Sequence, residues 1–501
     1  MTDHEHAGHI GVGDAEAFRE LGHQLVDQIA DFYASLPERP IRTPSTLNSV
    51  RDLLGQGPLP DAGTDSAELL TETADLLFDH SLHNGHPRFY GYITASAAPL
   101  GALADMLAAS VNANLGLWDL APVAIEIETQ TIRWLAEFVG YDSDCGGLMV
   151  SGGNVANMLG FLAARRARTG PEIRSAGVPA DDRLTIYCAS ETHTWIQKAA
   201  DVSGIGTDAI RWIGTDAEQR MDVAALREQI ATDVADGRHP FIVIATAGTV
   251  STGAIDPLPE IHAVAREYGL WFHVDGAYGA PAAVLPEAPG DLKALSLADS
   301  IALDPHKWLY APLEAACTLV RDPQHLLDAF SYRPPYYRIA EGESEWGHNY
   351  FEWGLQNSRG FRALKVWLAL RGCGRDGYVK LIRNDIERAA ELNRAAQAHA
   401  EMEACTLNLS IATFRFVPAG VETGTAEVDT YLNDLNAALV EELQNGGRVY
   451  VSNAVIDGKY ALRACIVNFR TTADDTAASM QIVVDEGRKL DATMRPAALR
   501  P

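Results

Sequence analysis

Between residues 86 and 380, short apolar runs rich in β-branched residues alternate with Ala- and Leu-rich helical stretches, and nothing else in the sequence restricts the fold so strongly. Strands separated by helix-length segments need crossover connections, so the pattern predicts an α/β domain on a largely parallel sheet. The runs that read as strands are 184–188, 241–245, 270–274, Ser300–Leu303 and Ala316–Val320. Four of them end in polar or Gly-containing segments: Ser190-Glu191-Thr192-His193, Gly248-Thr249, Asp275-Gly276 and Asp304-Pro305-His306-Lys307. Ligands of open α/β sheets bind beyond the carboxyl ends of strands, so these segments are expected to converge on one site.

The flanking regions read differently. Leu21, Leu25, Val26, Ile29, Phe32 and Tyr33 recur at helical spacing and predict an amphipathic helix whose apolar face needs a partner. The Pro-containing stretch 37–60 reads as an extended connection. Residues 1–85 are therefore expected to form an N-terminal helical arm for dimerisation, 86–380 the large ligand-binding domain, and 381–501 a small α+β domain. The last has a long helical stretch, strands at 413–417, 449–451 and 462–468, and a final helix over 474–490. A chain of 501 residues exceeds what one hydrophobic core usually organises.

A formal charge of −27 would repel nucleic-acid phosphates and anionic lipid, so a small molecule is the expected partner, with no nucleic acid and no membrane. The six cysteines are scattered without CxxC spacing, no basic apolar leader opens the chain, and no run reaches the roughly 20 apolar residues of a membrane helix. Those features predict reduced thiols and a cytoplasmic protein. His4, His6 and His9 read as a tail, and no metal site is expected.

Lys307 sits at a strand end between Pro, His and Trp, where partial burial would disfavour its ammonium form. A primary amine so placed can condense with an aldehyde. Asp275 leaves the sheet directly after the run 270–274. A buried carboxylate there can hold a proton on the nitrogen of a pyridoxal ring, which is an electron sink only when protonated. Ser151-Gly152-Gly153-Asn154 precedes a helical stretch and would offer free backbone N–H groups to a phosphate. His193 could stack on a flat ring. Taken singly, each has a plain structural explanation: a solvated lysine, a turn-forming Asp, a capped helix, a structural His.

Taken in order, Ser-Gly-Gly-Asn at 151–154, Glu-Thr-His at 191–193, His-Val-Asp-Gly-Ala-Tyr at 273–278 and Asp-Pro-His-Lys-Trp at 304–308 resemble the group II pyridoxal-phosphate decarboxylases, the family of aromatic amino acid and glutamate decarboxylases. The resemblance runs from about Phe18 through the large domain. It implies a fold-type-I, aminotransferase-like architecture, pyridoxal 5'-phosphate as cofactor, an amino acid as substrate, and a homodimer with the active site at the subunit interface. In that reading Lys307 carries the cofactor, Asp275 faces its ring nitrogen, His193 stacks on the ring and Ala277 packs beside it. Gly153, Asn154 and His306 would line the phosphate, with Thr249 near the ring's polar edge. The segment from Ser331 to Asn349 resembles the family's catalytic loop, and Tyr336 falls at its proton-donating tyrosine, with Tyr337 adjacent. Two positions depart from the pattern: Asn154 where Ser or Thr is usual, and Asp304 where aromatic decarboxylases commonly have Asn. A carboxylate at 304 would repel a phosphate unless turned away or paired.

By the same resemblance, Tyr92, Ile93 and Trp118 are candidates for the substrate side-chain pocket. Ser358, counted with the residues around the cofactor, leans towards tyrosine-like substrates. The predicted reaction is decarboxylation of an L-amino acid, aromatic in the leading reading. Acidic or other non-aromatic substrates, a decarboxylating aldehyde synthase, transamination or aldol cleavage, and a catalytically silent dimeric relative are the alternatives.

Overall fold

The structure is a computed structural model and describes residue 12 and residues 14–179, 182–333 and 348–500. The histidines at 4, 6 and 9 lie outside the described residues.

Seven strands form the central sheet: β1 (Gly146–Val150), β2 (Leu184–Ala189), β3 (Ile210–Ile213), β4 (His239–Thr246), β5 (Trp271–Asp275), β6 (Ser300–Leu303) and β7 (Ala316–Val320). Their spatial order is β1-β7-β6-β5-β4-β2-β3. The run from β6 to β3 is parallel, while β7 lies antiparallel between β6 and β1. This is the α/β, mostly parallel sheet that the alternation predicted. Strands such as β4 are apolar almost throughout because helices cover both faces, and its segment Phe241–Ala245 is fully buried. Neither β1 nor β3 was expected: β1 opens with two glycines, and β3 is only four residues long.

A second, antiparallel sheet in the order β10-β11-β9-β8 is built from β8 (Met402–Asn408), β9 (Ile411–Phe416), β10 (Ser452–Ile456) and β11 (Lys459–Cys465). The strand expected at 449–451 begins at Ser452, and the one expected at 462–468 lies at Lys459–Cys465. The turn Asp457-Gly458 joins these two strands; both residues have positive φ, and that turn sets the register of the hairpin. The helix expected after Leu381 already begins at Ala363 and runs to Ala398 through a break at Gly374 (φ +68°). It packs on β8 and β9 of the second sheet and contributes residues to both hydrophobic cores.

The N-terminal helix spans Ala15–Ser35, started by Asp14, whose carboxylate accepts from the Glu16 and Ala17 N–H groups. None of its residues is fully buried; Leu21, Leu25, Ile29, Phe32 and Tyr33 are half-buried, and Phe18 and Val26 are exposed on the single chain. Phe32 stacks on Phe78 of the helix Ser66–His80 at 4.4 Å. The connection 37–60 is not wholly extended. Thr46 and Ser49 form a reciprocal capping box that starts a helix at Leu47–Leu54. No helix of the described residues is long and apolar enough to cross a membrane.

Candidate active site

The carboxyl ends of β1, β2, β4, β5 and β6 face one side of the sheet and enclose a cavity of about 130 Å³. Lys307, Asp275, His193, Ala277, Gly153, Asn154 and Ile93 all line it, so the structure brings together seven of the residues singled out in the sequence.

Asp275 ends β5 and is held from two sides. Its Oδ2 accepts from Trp195 Nε1–H at 2.8 Å, and its Oδ1 from the Ala277 N–H at 3.2 Å. These donors fix the carboxylate against the cavity. Lys307 follows β6 in a turn closed by its N–H to the Asp304 carbonyl. Its Nζ lies 3.0 Å from Asp304 Oδ2. The next residue is clamped from behind, because Trp308 stacks on Tyr278 at 4.9 Å and donates Nε1–H to Asp385 at 2.9 Å. Tyr310 donates to the same Asp385 oxygen at 2.7 Å, and burial pushes this carboxyl up to about 7.

The helix Gly153–Thr169 starts without a side-chain cap, leaving the orphan N–H groups of its first turn at the cavity. A Cβ at Gly153 would stand 2.7 Å from Asp304 Oδ2, so the helix start and the β6 loop touch only because residue 153 is glycine. Gly248 is confined similarly: it has φ +98°, and a Cβ would meet Tyr278 at 2.8 Å. His193 presents an exposed ring whose Nδ1 accepts from the Trp195 N–H at 3.2 Å. Partial burial holds its pKa below the ordinary range against the pull of Asp275, so the ring is neutral at neutral pH with its proton on Nε2.

Several residues at the cavity have no role assigned from the sequence, although Glu191 and Tyr278 fall within the quoted motifs. Thr246, the last residue of β4, is buried with no hydrogen-bond partner for its Oγ1. Its place at a strand terminus was the available signal. Tyr278 forms part of the wall and exchanges hydrogen bonds with Ser410 in the β8–β9 turn, so the small domain reaches the cavity through that turn. Glu191 and Val250 complete the edge. Asn157, one turn into the helix, accepts from His273 Nε2–H at 2.8 Å. His273 in turn accepts from the Ser300 hydroxyl at 2.7 Å, and Ser300 accepts from Trp271 Nε1–H at 2.8 Å.

This relay has a measurable consequence for stability. Burial pushes His273 down to about 4, whereas an unfolded histidine titrates near 6.5. Between those values the unfolded chain binds a proton that the folded one refuses, so stability is lost as pH falls through that window, by up to about 3 kcal/mol. Urea unfolding at about pH 7 and about pH 5 is expected to show a smaller acid loss in His273→Gln than in the wild type, by about 2 kcal/mol. Equal losses would remove His273 as the source.

Other candidates lie apart from the cavity. Thr249 turns into its own loop, where its Oγ1 contacts Thr252 Oγ1 at 3.0 Å, and its neighbours Gly248 and Val250 line the wall instead. His306 is tied by Nδ1 to the Ala315 N–H at 3.1 Å and approaches Asp304 Oδ2 at 3.6 Å. Tyr92 is 53% exposed, with its hydroxyl 3.2 Å from that of Tyr450. Trp118 donates to Glu126 at 3.1 Å, and Ser358 is exposed. The segments bearing Trp118 and Ser358 are fastened together by the buried pair Arg359–Glu128 and by Asn114, whose Oδ1 accepts from the Arg359 and Gly116 N–H groups. Tyr336 and Tyr337 lie outside the described residues.

The arrangement suits a planar cofactor carrying an anionic group, a cationic ring nitrogen and an aldehyde. It offers an uncapped helix N-terminus, a fixed carboxylate, a primary amine and a neutral flat ring, and the orphaned Thr246 hydroxyl still needs a partner. Residues 52–417 match the model of the pyridoxal-dependent decarboxylase conserved domain. The chain is 34% identical to an aromatic-L-amino-acid decarboxylase of Bacillus atrophaeus, covering 92% of this chain and 93% of the relative. It is 31% identical to a phenylacetaldehyde synthase of Petunia hybrida, covering 90% of each. Its fold superimposes on the crystal structure of Oryza sativa TDC with PLP and tryptamine with a TM-score of 0.89, at 26% identity, over 95% of this chain and 99% of that one.

Proposed function

The chain belongs to the pyridoxal-dependent decarboxylases, and from that premise we propose that it converts an aromatic L-amino acid of the tyrosine, tryptophan, DOPA or phenylalanine class to its amine and CO2. It is a pyridoxal-phosphate-dependent carboxy-lyase acting on an amino acid. When bound, the cofactor supplies an electron sink for the pair released as CO2 leaves. The protein supplies attachment, orientation and charge.

In this reading Lys307 attaches the cofactor and Asp275 keeps its ring nitrogen protonated. The first turn from Gly153 and Asn154 holds the phosphate, while His193 and Ala277 bracket the ring. Thr249 and His306 act from behind the cavity wall, supporting Gly248 and Asp304. Tyr336 is assigned the proton delivery that completes the amine.

The observation that carries the aromatic reading is the near full-length similarity to an aromatic-L-amino-acid decarboxylase. The cavity agrees with it. Among the described residues lining it, Lys307 is the only cation, so an acidic substrate side chain would have no second positive group to pair with. Ile93 and Val250 give it apolar surface. The assembly is assigned as a homodimer, since Leu103, Leu107 and Val111 on the helix Pro99–Val111 and Phe18 and Val26 on the arm are exposed on the single chain. In the dimer, the exposed Tyr92 and Ser358 and the half-buried Trp118 would complete the substrate pocket of the second copy. The location is assigned to the cytoplasm.

A second reading, the decarboxylating aldehyde synthase, is favoured by the Petunia hybrida relative. The test is a panel of amino acids given to purified, cofactor-loaded protein, with CO2, amine and aldehyde measured for each. Amine from aromatic substrates alone is the expected result. Aldehyde as the main product would select the second reading, and CO2 only from acidic or basic amino acids would overturn the aromatic assignment.

A further inference from the structure

Trp271, Ser300, His273 and Asn157 form a chain of hydrogen bonds beneath the cavity, and all four are buried. Its direction is fixed at the far end. An indole N–H can only donate, so Ser300 Oγ accepts from Trp271 Nε1 at 2.8 Å and must place its own proton elsewhere. Among the described residues, the other atom within reach of that hydroxyl is His273 Nδ1 at 2.7 Å, which therefore accepts. Burial pushes His273 down to about 4, so at neutral pH the ring carries a single proton, and that proton lies on Nε2. Nε2–H donates to Asn157 Oδ1 at 2.8 Å, which turns the amide NH2 the other way. Reversing the amide would move the ring proton to Nδ1 and leave the fully buried Ser300 hydroxyl facing two donors, with no acceptor for its own proton.

Asn157 is 1% exposed and lines the cavity, and among the described residues its Nδ2 has no acceptor. It is a buried donor aimed at whatever the cavity holds. Its place narrows the choice of acceptor. Asn157 follows Gly153 by about one helical turn on the same face, and helical side chains lean towards the N-terminus, so the amide reaches back to the uncapped first turn assigned to the phosphate. Asn154, the other amide of that turn, is exposed. The charges nearby make a further donor necessary. Asp304 Oδ2 abuts Gly153, Asp275 and Glu191 share the cavity, and Lys307 is the only cation among the described lining residues.

We propose that Asn157 is a further cofactor-binding residue, donating from Nδ2 to an oxygen of the phosphate. The inference rests on the cofactor assignment above. Because the chain from Trp271 already holds the amide in its donating orientation, binding the anion orders no further side chain at this position.

The test titrates apo wild type and Asn157→Asp with pyridoxal phosphate and with pyridoxal, which lacks the phosphate. The substituted carboxylate keeps the shape and still accepts from His273 Nε2–H, but presents an oxygen where the NH2 stood. Affinity is read from the absorbance change on attachment, without turnover. The variant is expected to bind pyridoxal phosphate at least about 30-fold more weakly, while its affinity for pyridoxal stays within about threefold of the wild type. A residue that served only the fold would weaken both alike. A crystal structure of the loaded wild type needs no variant, and should place Nδ2 within about 3.2 Å of a phosphate oxygen. Equal weakening for the two aldehydes, no weakening for either, or a greater distance in that crystal would overturn the proposal and leave the cofactor assignment intact. Wild type that attaches neither aldehyde would overturn both.

Discussion

Replacing Lys307 by Ala is expected to abolish covalent capture of the cofactor and to lower kcat by about 10⁴-fold or more, because no other described lysine lines the cavity. The substitution also strands Asp304, which pairs with Lys307 at 3.0 Å, and so confounds lost chemistry with a lost ion pair. Lys307→Arg separates the two, since its guanidinium keeps a positive charge near Asp304 but cannot condense with an aldehyde under these conditions. Borohydride reduction followed by mass analysis of the peptides should find the cofactor on residue 307 in the wild type and on no residue in either variant. A reduced adduct persisting on another lysine would remove Lys307 from its assigned position.

Asp275→Asn should lower kcat on the order of 10³-fold while leaving the fold and the covalent attachment in place. The carboxylate is already satisfied by Trp195 and Ala277, so the amide can keep the Trp195 bond. It loses the charge assigned to the cofactor nitrogen and the acceptor for the Ala277 N–H at 3.2 Å. Taking one partner out of a buried, hydrogen-bonded charge pair costs about 3–5 kcal/mol, and here that falls on the protonated ring that the reaction requires. Steady-state kinetics with the best substrate of the panel, beside the reduction assay, checks it. Activity within tenfold of the wild type would mean that another group holds the proton.

The parallel part of the central sheet was legible because its signals are local. Each parallel strand is an apolar run followed at once by the residues it delivers, and Asp275 and Lys307 need only the direction of β5 and β6 to arrive at one place. Side-chain direction was not legible. Thr249 and His306 have the right positions in the chain, but hydrogen bonds to Thr252 and Ala315 turn them into their own loops. Tyr278, quoted only as part of a motif, and Asn157 received no role because theirs depend on Ser410 and His273, partners 132 and 116 residues away. β1 was missed because Gly146 and Gly147 carry no β signal. They are required by packing, since a Cβ at Gly147 would meet the Thr318 carbonyl at 2.5 Å. In the small domain, the hairpin of β10 and β11 is placed by a turn whose Asp457-Gly458 backbone sequence periodicity does not register.

The pair formed by Arg359 and Glu128 bears on how this enzyme could change its diet. Arg359 also donates to the Leu115 and Met149 carbonyls, so the residue immediately after Ser358 is anchored to three separate segments of the chain, while Ser358 itself projects from that anchor and is exposed. Position 358 is thus a socket in a rigid frame: its occupant can be exchanged without asking the surrounding backbone to move. Under the proposed assignment of position 358 to the substrate pocket, selection for a new side-chain preference would act there one residue at a time, drawing on chemistry alone and leaving the stability of the enzyme out of the trade.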